Sequence, residues 1–308
     1  MEKIHILLYY KFVGIENPAE FADEHLKFCK SLGLSGKVLV GKEGINGSVC
    51  GTKQQIKKYK SRMKKDERFR DIVFKEDIGD SAPFTKMAVR VRPEIIAMKE
   101  NVDLNMKGDY VSAEELFNMY EGGEDFVILD ARNDYEWKVG KFKNAVTLSI
   151  KSFREFPKEV KKLKNKLTGK KIVTYCTGGI RCEKASAYMK QIGFENVFQL
   201  KDGIITFCKE YPDSFWEGKC FVFDKRLLAD YNNFDNDISN CGVCGGACDL
   251  YRNCRNTDCD KLSVMCVSCE KEMSGCCSHI CLESFRKACL EKSRKNQGRK
   301  TRTNFQAQ

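Results

Sequence analysis

The residues of this chain best suited to chemistry are Cys176-Thr177-Gly178-Gly179-Ile180-Arg181, with Cys182 directly after them. The run Lys171-Ile172-Val173-Thr174 before them reads as a strand. Ala185, Tyr188, Met189 and Ile192 after them recur at helical spacing and stop at Gly193. Cys176 is thus expected at a strand end, in a loop, at a helix N-terminus. The helix dipole and inward-turned amides lower a thiol pKa there. Gly178 and Gly179 lack Cβ atoms, so the loop can aim its N–H groups at one point. Arg181 adds a fixed positive charge, either to bind an anion or to anchor the loop through a buried ion pair with a carboxylate such as Glu136. This setting favours a thiolate nucleophile or a sulfur-bound anion such as a persulfide. The plain alternative for Cys176 is an inert core thiol. Cys182 either packs in the helix or resolves an oxidised Cys176.

The other cysteines tell a second story. Of 17 in the chain, six precede residue 240 and eleven fall between Cys241 and Cys289. The longest apolar runs, such as Ile6-Leu7-Leu8-Tyr9-Tyr10, are too short to span a bilayer, and no signal-peptide pattern opens the chain. The expectation is a soluble cytoplasmic protein with no membrane partner, in which cysteines serve metal binding and thiol chemistry rather than disulfides. Cys241-x2-Cys244, Cys254-x4-Cys259, Cys266-x2-Cys269 and Cys277-x3-Cys281 are four successive pairs, which suits two tetrahedral, structural zinc sites, interleaved or sequential. Cys248, Cys289 and one of Cys276 and Cys277 are left over, His279 could substitute for a ligand, and an iron–sulfur cluster is the alternative.

The net charge is +11. Part of it lies in Lys57, Lys58, Lys60, Arg62, Lys64, Lys65, Arg68 and Arg70, and part in the tail after Ser284. Two basic clusters beside a reactive site point to nucleic acid, against the plainer reading of solvated helix faces.

These features predict a multidomain chain of α+β and α/β parts. Residues 1–104 carry the order β-α-β-β-α-β of a ferredoxin-like sandwich, with a strand over His5–Val13, a helix begun by Asn17-Pro18, a basic helix opened by a Thr52/Gln55 capping box and further strands over Asp71–Phe74 and Met87–Val91. Glu43-Gly44-Ile45-Asn46-Gly47 reads as a turn-rich linker between strands. Residues 105–220 alternate strands with helices, which implies an α/β/α layering around a parallel sheet with its active site at the strands' carboxyl ends. Cys176 and Asp130 both fall at such ends. Ala145–Leu148 reads as a strand and a long Lys-rich helix is expected from about Ser152. Residues 236–290 form the cysteine-rich metal-binding segment, and 291–308 are expected to be a basic, disordered tail.

Asp130-Ala131-Arg132-Asn133-Asp134-Tyr135-Glu136, the Cys176–Arg181 loop and Lys201-Asp202-Gly203-Ile204 together resemble a rhodanese domain, in which the loop cysteine carries a persulfide. Lys37–Ser48, Ala82-Pro83-Phe84, Val89–Ile96 and the cysteine-rich C-terminus extend the match, over about residues 4–285, to the TrhO family of rhodanese-containing tRNA uridine(34) hydroxylases. The resemblance implies oxygen-dependent hydroxylation of C5 of the wobble uridine, with Cys176 as the essential cysteine. It also implies tRNA as partner, molecular oxygen as co-substrate and an unidentified electron donor. Where rhodaneses usually have His-Ile-Pro-Gly, this chain has Lys141-Phe142-Lys143-Asn144.

On this reading Cys176 and Arg181 are the catalytic candidates, with Thr177, Gly178, Gly179 and Ile180 forming the loop. Cys182, Asp130 and Arg132 are auxiliary, the last two as scaffold. Glu43, Asn46, Arg90 and Arg92 are candidate contacts to the uridine. Only His5, His25 and His279 are present, so an iron triad of two histidines and a carboxylate has no credible ligands, and no flavin, nicotinamide or haem site is evident. Two rival readings stand beside the hydroxylase. One is a sulfurtransferase that moves persulfide sulfur, which needs neither flanking domain. The other is a zinc-bearing binding module with an ordinary Cys176 thiol.

Overall fold

Alternation of side chains along the first strand shapes the N-terminal domain. In the computed structural model, β1 (Ile4–Phe12) sends Leu7 and Tyr9 into a buried core and Leu8 and Tyr10 to the opposite face. The core is covered by α1 (Pro18–Ser31) and, after β2 (Ser35–Gly41) and β3 (Gly44–Gly51), by α2 (Lys53–Lys65). The Thr52/Gln55 capping box is present, and Ile56, Tyr59 and Met63 form the buried stripe of α2. Lys53, Lys57, Lys58, Lys64 and Lys65 remain outside. With β4 (Phe74–Gly79) and β5 (Met87–Val91) the sheet runs β4-β1-β3-β2-β5. Its antiparallel part is the ferredoxin-like order, and β5 adds in parallel to β2.

Two expectations are corrected here. Glu43–Gly47 is no linker: the turn is only Lys42-Glu43, and Gly44 onward pairs with β1 and β2 on both sides. Gly44, at φ +142°, comes so close to β1 that a Cβ would lie 2.0 Å from the Lys11 carbonyl oxygen, which no side chain permits. The strand expected over Asp71–Phe74 starts only at Phe74.

In the same core His25 is 5% exposed, bonded through Nε2 to the Tyr59 hydroxyl at 3.0 Å and stacked on Phe21. Burial, then the nearby Arg62 charge, lowers its pKa from 6.5 to about 4. The unfolded chain therefore takes up a proton below 6.5 that the native state refuses until about 4. Stability falls across that window, by about 3 kcal/mol in all. Urea midpoints at pH 7 and pH 4.5 should separate more for wild type than for His25→Gln; equal separations would contradict this.

The central domain builds β6 (Asp109–Val111), α3 (Ala113–Glu121), β7 (Val127–Asp130), α4 (Asp134–Trp137), β8 (Gly140–Phe142), α5 (Phe156–Lys161), α6 (Lys164–Leu167), β9 (Ile172–Tyr175), α7 (Ile180–Gln191), β10 (Val197–Leu200) and α8 (Gly203–Glu210). Its sheet is parallel, in the order β6-β10-β9-β7, with an apolar cluster on each face. Every residue of β9 is buried. The Lys-rich helix expected from Ser152 is broken into a 3-10 turn at Phe153–Glu155, α5 and α6, because Leu163 N–H bonds back only to Val160. Ala145–Leu148 contributes a single bridge, Val146 to Leu129, rather than a strand. Beyond α8, β11 (Trp216–Gly218) pairs with β8, and β12 (Cys220–Phe221) pairs with β13 (Leu228–Ala229).

The chain divides into two compact units, Met1–Phe234 and Asp235–Gln308. The structure describes residues 3–229, 231 and 238–304, with backbone alone for 292–304. The second unit holds β14 (Tyr251–Asn253), β15 (Leu262–Val264), α9 (Val267–Glu272) and α10 (His279–Asn304). The segment expected to be a disordered tail is thus helical as far as Asn304, consistent with a run free of proline and rich in helix formers; residues 305–308 lie outside the described residues. No helix among the described residues is long and apolar enough to cross a membrane.

Candidate active site

The loop after β9 is held by close backbone contacts. Gly179 has φ +97°, and a Cβ there would lie 2.9 Å from the Tyr10 hydroxyl; one on Gly178 would lie 2.8 Å from a Leu8 methyl. From below, Ile204 N–H donates to the Cys176 carbonyl at 3.0 Å, which requires the left-handed Asp202-Gly203 corner. A Cβ on Gly203 would sit 2.5 Å from that carbonyl oxygen.

Cys176 is fully buried, and Gly179 N–H donates to its Sγ at 3.1 Å. Burial alone opposes ionisation. The Cys182 thiol, the Arg181 guanidinium and the N–H groups of Arg181 and Cys182 outweigh it and lower the Cys176 pKa from 9.0 to about 5. Cys182 moves the other way: burial and the neighbouring Cys176 anion push its thiol up, so it stays protonated and donates. The pair is therefore a thiolate and a thiol, not two equal nucleophiles.

Arg181 is bound at both ends of its fork by Glu136, at 2.5 and 2.7 Å, and its second nitrogen lies 3.3 Å from the Thr177 hydroxyl. Arginine and carboxylate are buried, so of the two readings of Arg181 the anchoring ion pair is present, while its charge still acts on Cys176. Losing either partner would strand a buried charge, typically at 3–5 kcal/mol. Asp130 and Arg132 pair the same way beneath the loop, with Arg132 also donating to the Gly140 carbonyl and Tyr175 donating to Asp130. They do not line the cleft; their place is scaffold.

The cleft above Cys176 has a volume of about 490 Å³, within the range of small-ligand sites. Its floor is the face of the N-terminal sheet turned away from α1 and α2. Two rows cross it in register, Leu8–Ser48–Lys37 and Tyr10–Asn46–Leu39. Phe84, Phe153 and Phe223 add aromatic walls. No carboxylate lines the cleft, but Lys37 and Arg154 do, both exposed and without a carboxylate partner among the described residues.

Of the candidate uridine contacts, only Asn46 lines this cleft. Glu43 instead accepts from Ile95 N–H at 2.7 Å and pairs with Lys184 at 2.9 Å. Arg90 and Arg92 are exposed on and just after β5, outside the cleft. Sequence reasoning missed the clamp that fixes the sheet over the loop. Lys184 is buried between Glu43 and Glu94, and its neighbour Glu183 accepts from Tyr10, Tyr110 and Lys107. Two adjacent charges in a helix ordinarily face water and gave no signal. The unbroken apolar run Ile6–Tyr10 was the available clue that β1 is covered on both faces.

In the second unit the eight cysteines singled out from spacing fall into two groups, Cys241, Cys244, Cys266 and Cys269, and Cys254, Cys259, Cys277 and Cys281. Within each group all Sγ atoms lie within 4.8 Å of one another. Individual Sγ–Sγ separations are 3.9 Å for Cys244–Cys266, 3.7 Å for Cys259–Cys277 and 3.8 Å for Cys277–Cys281. The edge of a tetrahedron with metal–sulfur bonds of about 2.3 Å is about 3.8 Å. Each group could therefore hold one metal ion, whereas a multi-iron cluster spreads its cysteines further. The groups interleave: the chain leaves the first at Cys244, supplies Cys254 and Cys259 to the second, and returns through β15. Cys248, Cys276, Cys289 and His279 belong to neither.

Residues 4–95 match the UPF0176 acylphosphatase like domain, 112–210 the Rhodanese-like domain and 217–282 the Rhodanase C-terminal model. The tRNA uridine(34) hydroxylase of Bacillus licheniformis is 45% identical over 282 residues, 90% of this chain and 87% of its own length. Those of Bacillus cytotoxicus and Bacillus cereus are also 45% identical, over 90% and 91% of this chain and 87% and 90% of their own. With that identity across nearly the whole chain, the protein belongs to the tRNA uridine(34) hydroxylase family.

Proposed function

We propose that this protein hydroxylates C5 of the wobble uridine of tRNA in the cytoplasm, with Cys176 as the reacting thiolate. The observation that carries this is a buried, stabilised thiolate in an aromatic, carboxylate-free cleft that a β-sheet face also lines. Sheet faces with aromatic side chains suit unstacked bases. A thiolate can add to C6 of a uracil and make C5 nucleophilic toward an activated oxygen. Loss of the C5 proton and of the Cys176–C6 bond then restores the ring. The overall change is C5–H plus O2, two electrons and two protons giving C5–OH and water; a separate electron donor supplies the electrons. Gly179 N–H and the Cys182 thiol hold the sulfur's charge before attack and after release. Arg181 acts through the loop it anchors to Glu136.

The metal ions are proposed to be zinc and structural, since four thiolates close a tetrahedral shell and leave no open position. The same loop would also hold a persulfide, the sulfurtransferase reading. The clamp of Glu183 and Lys184 weighs against it, because it fixes a sheet face across the cleft from the sulfur that sulfur transfer does not need. Two assays test the choice: 5-hydroxyuridine formed on tRNA with oxygen and a chemical reductant supports hydroxylation, and thiocyanate formed from thiosulfate and cyanide, without 5-hydroxyuridine in the first assay, supports sulfur transfer.

Lys37 and Arg154 flank the cleft from the two domains and are proposed to take phosphates of the target nucleotide, while the lysines of α2, Arg90 and Arg92 take more distant backbone. Lys37→Glu with Arg154→Glu should weaken tRNA binding and flatten the slope of log affinity against log salt by about two. An unchanged slope would remove both residues from the interface.

A further inference from the structure

We propose that Asn46 selects the base: its Oδ1 accepts the N3–H of a uracil in the cleft and so favours uridine over cytidine. This rests on the hydroxylase reading and names what makes that site specific.

Asn46 is the polar centre of an otherwise apolar row, flanked by Tyr10 on β1 and Leu39 on β2, and all three line the cleft that holds Cys176. Its Nδ2 donates to the Ile95 carbonyl at 2.9 Å. A carbonyl oxygen only accepts, so this bond determines which way the amide is turned. Oδ1 is then the free end, with no hydrogen-bond partner among the described residues. The amide cannot flip to offer a donor without losing Ile95.

The remaining polar groups of the lining discriminate less. The Tyr10 hydroxyl is spent on Glu183. The Ser152 hydroxyl accepts from Arg154 N–H. Ser48 carries a hydroxyl that can turn to donate or accept, and so suits either pyrimidine. Asn133 donates from Nδ2 to the Tyr135 hydroxyl, and its Oδ1 is closed off from solvent. No aspartate or glutamate is present to act as a second acceptor. A uracil joined to ribose through N1 has one ring donor, N3–H, between two acceptors. Cytosine has a lone pair at N3 and a donor only at N4. A fixed acceptor facing N3 therefore pairs with uracil and repels cytosine, leaving an unpaired partly buried acceptor in the second case.

The test uses the full chain and anticodon stem-loop RNAs that differ only at the wobble position: uridine, 3-methyluridine or cytidine. Anisotropy titrations with wild type should favour uridine over both others by about tenfold. Asn46→Ala should bind uridine more weakly and bring the three affinities together, with Cys176 alkylation unchanged as evidence of an intact loop. Equal binding of the three RNAs by wild type, or a preference that survives in Asn46→Ala, would overturn the assignment and leave the hydroxylase reading standing. Failure of wild type to bind any stem-loop would sink that reading, and Asn46's role with it.

Discussion

Replacing Cys176 with serine should lower tRNA hydroxylation by at least about a thousandfold while leaving the fold in place. The substitution is nearly isosteric, and a serine oxygen could still accept the Gly179 N–H that now reaches Sγ. What it cannot do is ionise. Against the burial that opposes it, an anion at this atom is stabilised by the Cys182 thiol, the Arg181 guanidinium and the first amides of α7. A hydroxyl, with a pKa far above that of a thiol, stays neutral among them. Single-turnover rates on tRNA and a thermal melt of the same sample check both halves. A loss of only a few-fold would mean the reacting group lies elsewhere. The lowered pKa adds a pH signature. The thiolate is present above about 5 and is lost as pH falls through that value. Alkylation of the peptide carrying Cys176, followed by mass spectrometry, should therefore run at a flat rate from pH 6 to 8. A thiol with an ordinary pKa would instead speed up about tenfold per pH unit over that range.

Removing metal should unfold the second unit outright. Its two small apolar clusters consist largely of the cysteines themselves, Cys254, Cys276 and Cys281 with Met273 and Leu282, and Cys241, Cys248 and Cys269 with Met265. Such clusters cannot hold a fold alone, whereas a structural zinc ion contributes on the order of 10 kcal/mol or more. Because the second group's Cys254 and Cys259 lie in the chain between the first group's Cys244 and Cys266, the two sites stand or fall together. Cys266→Ala should thus release both ions, and a strong chelator should abolish amide protection from Tyr251 to Leu282. Elemental analysis and hydrogen exchange read the two effects. Retention of one ion by Cys266→Ala would show the sites to be independent. Protein that purifies without metal, or with iron, would remove zinc from the account.

What could be read in the sequence was what is local. The apolar strand, the paired glycines and the helical period around Cys176 are contiguous, so strand, loop and helix follow from neighbours in the chain, and the cysteines that could hold metal announce themselves by spacing. The helix start at Thr52 was legible because a capping box needs only four residues. The segment Glu43–Gly47 misled because glycine usually marks a turn; here Gly44 is required by the closeness of β1, a neighbour distant in sequence. The break in the Lys-rich helix follows from packing Phe153, Phe156, Val160 and Leu167 into one core, which no local period reveals. The cleft was the least legible feature. Leu8, Asn46, Phe84, Phe153 and Phe223 come from five separate parts of the chain and meet only once the sheet order and the Lys184 clamp bring two domains together.

The central claim is tested most directly by nucleoside mass spectrometry of tRNA from cells that lack the endogenous activity and carry this protein or its Cys176→Ser variant. The account predicts 5-hydroxyuridine, or nucleosides made from it, at the wobble position with wild type and none with the variant. A thiolated nucleoside in place of the hydroxylated one, hydroxylation that persists in Cys176→Ser, or tRNA left unchanged by wild type would contradict it.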